Sequence, residues 1–299
     1  MPSINANGVE LAYDLHGDPA HPTLLLIQGL SMPSTATPPA MIEQLTAAGY
    51  RVLTFDNRDA GQSQLLEHLK PANFLMQAVR QKLHMKVSAA YLLEDMMRDT
   101  SALLAGLKID SAHVVGVSMG GMIAQALAIH HPEQVSSLTS IMSTTGRRGL
   151  PGPERQVARH IIKGPDEPTA EARLNYQRHL WRLLGSPDYP LPDAELEAFL
   201  QRVQKRGMTA QGSARQSLAI LGSPSRVAGL QQLERPTLVI HGEADPLVPI
   251  AAGYDTANAV KGARMITIPG MGHDLPEALL GRICDAIVQH TGAGNPARN

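Results

Sequence analysis

Three short stretches carry side chains whose types and spacing could do nucleophilic chemistry together. The first is Gly116-Val117-Ser118-Met119-Gly120. A serine hydroxyl is a weak nucleophile until a base lies within hydrogen-bond reach and an acid orients that base. The Gly-x-Ser-x-Gly spacing suits a sharp strand-to-helix turn, in which positions two before and two after the serine must lack bulk. Such a turn lifts the Ser118 hydroxyl clear of the strand end. It also sets the Met119 N–H at a helix start, where an oxyanion could be held. The second stretch, Gly242-Glu243-Ala244-Asp245-Pro246, offers Asp245 as the orienting acid, with Glu243 as the competitor. The third, Gly270-Met271-Gly272-His273, offers His273 as the base. Taken singly, each has a plainer reading: an incidental serine in a turn, a turn carboxylate before proline, one loop histidine among 12. Together they follow three apolar runs in the order Ser, Asp, His, which is one of the known chain orders of a serine triad. A second oxyanion donor should come from the loop after an earlier strand. Leu30 N–H is the candidate, and Gly29 before it lets the backbone approach a reacting carbonyl.

The elements that must position these groups are legible as apolar runs. Thr23–Ile27, Arg51–Phe55, His113–Val117, Val135–Met142, Thr237–Gly242 and Met265–Ile268 read as buried strands, and Val9–Tyr13, alternating at period two, as an edge strand. Helical patterns run from about Ala40 to Ala48, Ala89 to Ala105, Met119 to His130 and Ala278 to His290. Residues 64–88 are weakly patterned and read as a loop with a short helix. Strands alternating with helices predict an α/β fold with a mostly parallel sheet covered on both faces. The alternation stops between Ser143 and Arg226, where the chain is helical, charged and broken by prolines, as in Ala170–Leu184 and Asp193–Arg206. This predicts a core of residues 1–142 and 227–299 with a helical cap, 143–226, inserted between them.

Composition excludes several classes. With 26 Lys and Arg against 27 Asp and Glu and no long basic run, a nucleic-acid partner is not expected. No apolar run approaches a membrane span and the first residues carry no signal-peptide pattern, so no membrane partner is expected and the cytoplasm is the expected location. The single cysteine, Cys284, excludes an internal disulfide. The tail from Thr291 to Asn299 is small and polar and reads as a frayed end. Aromatic residues are 3% of the chain and methionines number 13, so a pocket lined by aliphatic and thioether side chains is expected. Met32, Met142 and Met271 lie near the motif loops. Arg147, Arg148, Tyr176, Trp181 and Met208 lie in the cap. His130 and His131 suit a helix end, whereas His160, His179 and His290 read as solvated.

On these motifs the chain resembles the α/β-hydrolase superfamily over nearly its full length. The loop Asp56-x-Arg58-x-x-Gly61-x-Ser63 matches a signature of its capped esterase and peptidase branches. Asp56-Asn57-Arg58-Asp59, Val117-Ser118-Met119-Gly120 and Pro269-Gly270-Met271-Gly272-His273 are most similar to aclacinomycin methylesterase-like enzymes. The resemblance implies a carboxylic ester substrate, no cofactor, no metal and a helical cap. The chain departs from many relatives at Gln28, where they place histidine, and at Asp59 and Ala60, where they place glycine and an aromatic. The Asp56–Arg58 pair reads as loop architecture rather than chemistry. The expected activity is ester hydrolysis through Ser118, His273 and Asp245, on short- to medium-chain or methyl esters, by a monomer or homodimer. The competing readings are a proline-iminopeptidase-like serine peptidase, for which Glu171 or Glu195 would bind an amine, a cofactor-free perhydrolase, and a binding receptor that keeps the triad.

Overall fold

The computed structural model of the chain describes residues 2–167 and 169–292. One sheet of eight strands organises it: β1 (Ser3–Ala6), β2 (Val9–His16), β3 (Thr23–Ile27), β4 (Arg51–Phe55), β5 (Ala112–Val117), β6 (Val135–Ile141), β7 (Thr237–Gly242) and β8 (Arg264–Ile268). Their order is β1-β2-β4-β3-β5-β6-β7-β8, antiparallel at β1/β2 and β2/β4 and parallel from β4 to β8. Val9–Tyr13 is therefore not an edge strand, as its alternation had implied. Asn7 and Gly8, both at positive φ, form a two-residue hairpin turn that lays β1 along its outer side.

Period two in β3 divides the core into two layers. Leu25 and Ile27 pack with α3 (Leu93–Gly106) and α4 (Met119–His130) on one face, through residues such as Met97, Leu104, Ile123 and Leu127. Leu24 and Leu26 pack on the other face with α1 (Pro39–Ala47) and α11 (Glu277–Thr291), through Met41, Leu45, Ile283 and Ile287. All five residues of β3 are buried, as a strand covered on both sides requires. Two further helices lie outside residues 143–226. The weakly patterned segment holds α2 (Phe74–Lys82), and α10 (Ala251–Ala259), which no sequence signal marked, packs on β7. Thr291 closes α11; the tail from residue 293 lies outside the described residues.

Between β6 and β7 the chain forms α5 (Arg155–Lys163), α6 (Ala170–Leu184), α7 (Asp193–Arg206), α8 (Ala210–Gly222) and the single turn α9 (Val227–Leu230). Thr169 and Thr209 cap α6 and α8 by accepting the N–H groups of Ala172 and Gly212. A buried ion pair fastens this insertion to the loop after β4. Arg215 of α8 grips Asp59 through Nε (2.8 Å) and Nη2 (2.6 Å), and neither side chain is exposed at all. The Tyr91 hydroxyl and the Leu66 N–H donate to the same carboxylate. Asp59 stands at φ 68°, a backbone state that favours glycine. Here the ion pair offsets the strain of an acid in that state. Arg215→Ala leaves a buried carboxylate short of its cation and is expected to cost about 3–5 kcal/mol of stability. Urea unfolding reads this directly, and a loss below about 1 kcal/mol would count against the account.

Candidate active site

The chain leaves β3 toward β4 on one side and returns to β5 on the other. The loops after β3 and β5 therefore diverge, and a crevice opens between them at the C-terminal end of the sheet. Ser118 lies in this crevice, directly after β5. Its φ of 55° and ψ of −118° place a non-glycine residue in a strained region. The turn is held by the Ser118 N–H donating to Ile141 O (2.9 Å), and by the Ser143 hydroxyl and the Gly121 N–H donating to Ser118 O (2.7 and 2.9 Å). Bulk is excluded on both sides: a Cβ on Gly116 would stand 2.2 Å from Gly120 O, and one on Gly120 would stand 2.0 Å from Ile27 O.

The structure brings the three sequence-predicted side chains together. His273 Nε2 lies 3.0 Å from Ser118 Oγ, and its Nδ1 lies 2.7 Å from Asp245 Oδ2. Asp245 Oδ1 accepts the N–H groups of Leu247 (2.9 Å) and Val248 (2.8 Å), which leaves Oδ2 aimed at the imidazole. Burial by itself would raise the Asp245 pKa. The facing His273, with hydrogen bonds from His241, His273 and Val248, outweighs burial and holds the carboxyl well below the usual range. Glu243, the competitor, is exposed and accepts the Thr267 hydroxyl instead. The backbone of His273 is tied down too, its N–H donating to Leu184 O at 2.7 Å.

The two expected oxyanion donors belong to the loops that meet at Ser118, Leu30 after β3 and Met119 after β5. Met119 is the first residue of α4, so its N–H has no partner within the helix. Leu30 follows Gly29, where a Cβ would stand 3.3 Å from Ser118 Cβ. Gln28 anchors the loop by donating from Nε2 to Thr37 Oγ1 at 2.5 Å. One residue on, the Ser31 N–H donates to Gln216 Oε1 (2.7 Å), and the Ser31 hydroxyl donates to Ser213 Oγ (2.6 Å). Gln216 Nε2 donates in turn to Arg58 O (2.7 Å). Sequence reasoning missed Gln216, and no local signal marks it, because its partners are 158 and 185 residues away.

A cavity of about 700 Å³ lies over Ser118 and His273. Tyr176, Leu180, Trp181, Leu184 and Phe199 line it from the insertion, and Leu30, Met32 and Met142 from the core. Met208 also lines it, as do the carboxylates Glu43, Glu195, Asp274 and Glu277. Met271 instead packs in the core, Arg147 pairs with Asp255, and Arg148 bonds to His84. Asp274, which the sequence did not single out, is buried beside His273. Burial raises its pKa, and the Ser186 hydroxyl, donating at 2.5 Å, opposes that rise. The Asp56–Arg58 loop is architectural, as expected. Arg58 pairs with Asp99, and Asp56 accepts from Ser34 N, Gln62 N and Arg206 Nε. Two histidines differ from expectation. His160 is half-buried and stacks on Tyr176, and half-buried His290 lies 3.2 Å from Leu138 O. No cluster of side chains suited to a metal ion occurs among the described residues.

A family model described as alpha/beta hydrolase fold matches residues 22–277. The chain belongs to this family. Rhodomycin D methylesterase DnrP of Streptomyces peucetius is 30% identical over 304 residues, covering 93% of each chain. Rhodomycin D methylesterase DauP of Streptomyces sp. strain C5 is 29% identical over 311 residues, again covering 93% of each. Among solved structures, a hydrolase from Pseudomonas aeruginosa PA01 superposes with a TM-score of 0.75 at 25% identity, covering 97% of this chain and 98% of that one. The resemblance to methylesterases seen in the motif loops thus extends along the α/β-hydrolase chain. No helix among the described residues is long and apolar enough to cross a membrane.

Proposed function

We propose that the chain is a serine ester hydrolase that works through an acyl-enzyme. The hydrogen-bonded line Ser118–His273–Asp245, at 3.0 and 2.7 Å beneath a mainly apolar cavity, carries the reading. His273 Nε2 takes the Ser118 proton as Oγ attacks the ester carbonyl. Asp245 keeps the Nδ1–H tautomer and stabilises the imidazolium. The N–H groups of Leu30 and Met119 hold the tetrahedral oxyanion. The C–O bond to the alcohol breaks, and His273 delivers its proton to that oxygen. Water, deprotonated by His273, then attacks the acyl carbon. The acid leaves, and Ser118 recovers its proton. Ester and water account for every bond made and broken.

Residues 143–226 act as the cap, and the size of the space beneath it favours esters with one bulky partner. The methylesterase relatives support methyl esters, the cavity leaves room for a bulky acid, and short- to medium-chain esters stand alongside. The test is a p-nitrophenyl ester series from acetate to long acyl chains, with methanol release from bulky methyl esters assayed in parallel. Turnover that falls off beyond a medium chain length is expected. Turnover of proline p-nitroanilide in place of the esters would move the assignment to a peptidase using Glu195. Peroxide-dependent turnover exceeding hydrolysis would move it to a perhydrolase.

A further inference from the structure

We infer that the outer face of α2 is a docking surface for anionic lipid. The helix lies against α8, with Gln81 Nε2 donating to Leu221 O at 3.0 Å and Gln77 buried. Its other side has no such cover. Leu75, Met76, Val79 and Leu83 are 52%, 61%, 57% and 64% exposed, where a soluble monomer would be expected to scatter its apolar groups singly. At helical spacing Leu75, Val79 and Leu83 form one row with Met76 beside it. Lys82 and Arg80 border that row on its two sides, and Gln77 points the opposite way.

Charge identifies the occupant. Between Glu67 and Glu94 the chain has Lys70, Arg80, Lys82 and Lys86 and no acid, although the whole protein is near neutral. An apolar row bordered by cations on a helix too short to span is the pattern of a segment lying in a lipid interface, with lysine stems reaching to headgroup phosphates. A second copy fits poorly. A two-fold pairing of this face would set its cations against their own copies with no carboxylate to answer them. The expectation of no membrane partner rested on the lack of a spanning segment, and a surface-lying helix needs none. The face also lies one helix from the cavity, since Ser213 and Ser217 of α8 line it.

Co-sedimentation of the full chain with phospholipid vesicles tests this. Binding to phosphatidylglycerol-containing vesicles should exceed binding to pure phosphatidylcholine by about tenfold, and should weaken at high salt. Lys82→Gln with Lys86→Gln should remove the preference for anionic lipid. Leu75→Ser with Val79→Ser and Leu83→Ser should abolish binding. Both variants should keep the wild-type circular dichroism and melting midpoint, because the changed side chains are exposed. The proposal is overturned if wild type does not sediment with anionic vesicles, or if the triple serine variant binds as wild type does. A wild-type dimer in solution that the triple variant converts to monomer would give the face to a second copy instead.

Discussion

Ser118→Ala is expected to lower kcat toward a p-nitrophenyl ester by about a million-fold. The loss should fall on chemistry alone. The alanine Cβ keeps the shape of the turn, and the Leu30 and Met119 N–H groups remain in place. Substrate should still bind, and unfolding midpoints should hardly move, since the strain at φ 55° belongs to the backbone and persists. Pre-steady-state measurements separate the two effects. The wild type should release a burst of nitrophenol as the acyl-enzyme accumulates, and the variant none. A variant retaining more than about a hundredth of wild-type kcat, far above what the oxyanion donors alone sustain, would mean that another group is the nucleophile.

Asp245→Asn carries the second-largest effect, a loss of about 10⁴-fold in kcat. The substitution is close to isosteric, and an asparagine Oδ1 still accepts from Leu247 and Val248, so the loop keeps its form. What changes is the atom facing His273 Nδ1. A carboxylate oxygen that accepts becomes an amide that donates, and the imidazole is driven to the tautomer that cannot take the Ser118 proton. The same variant has a stability signature. The native Asp245 carboxyl titrates below its unfolded value of about 4, so its contribution is full above that pH and is lost as pH falls through the native value. The gap in unfolding midpoint between wild type and variant should therefore be widest near neutrality and close on acidification. A gap that widens in acid would show that the carboxyl is not held ionised by its neighbours.

The layout of the candidate site was largely legible in the sequence because each of its side chains sits in a short loop directly after an apolar run. Ser118, Asp245 and His273 could be placed by the strand that precedes each, and Gly29 and Leu30 likewise after β3. What could not be read is what holds those loops. Gln216, Ser186 and Arg215 act on partners 86 to 185 residues away, and a polar residue in a helix gives no local sign of which distant loop it will meet. The fold shows the same division. The apolar runs gave the parallel strands almost to the residue. The hairpin at Asn7-Gly8 and the small-residue helix α10 were missed, and α2 showed only as weak patterning, because nine residues give the helical period little length to repeat within an irregular stretch.

Gln216 has a consequence for the whole architecture. The helices between β6 and β7 look like a detachable module set on an independent base, yet one amide of α8 holds the Ser31 N–H with one hand and Arg58 O with the other. Beside it, Arg215 is locked on Asp59, and beyond α6 the Ser186 hydroxyl accepts the Gly272 N–H one residue before His273. Excising or transplanting the insertion would thus remove the scaffolding of the loops beneath it, not only the roof of the pocket. The insertion and the loops beneath it form one structural unit in this chain, and α8 cannot be exchanged for a foreign helix without its glutamine and arginine.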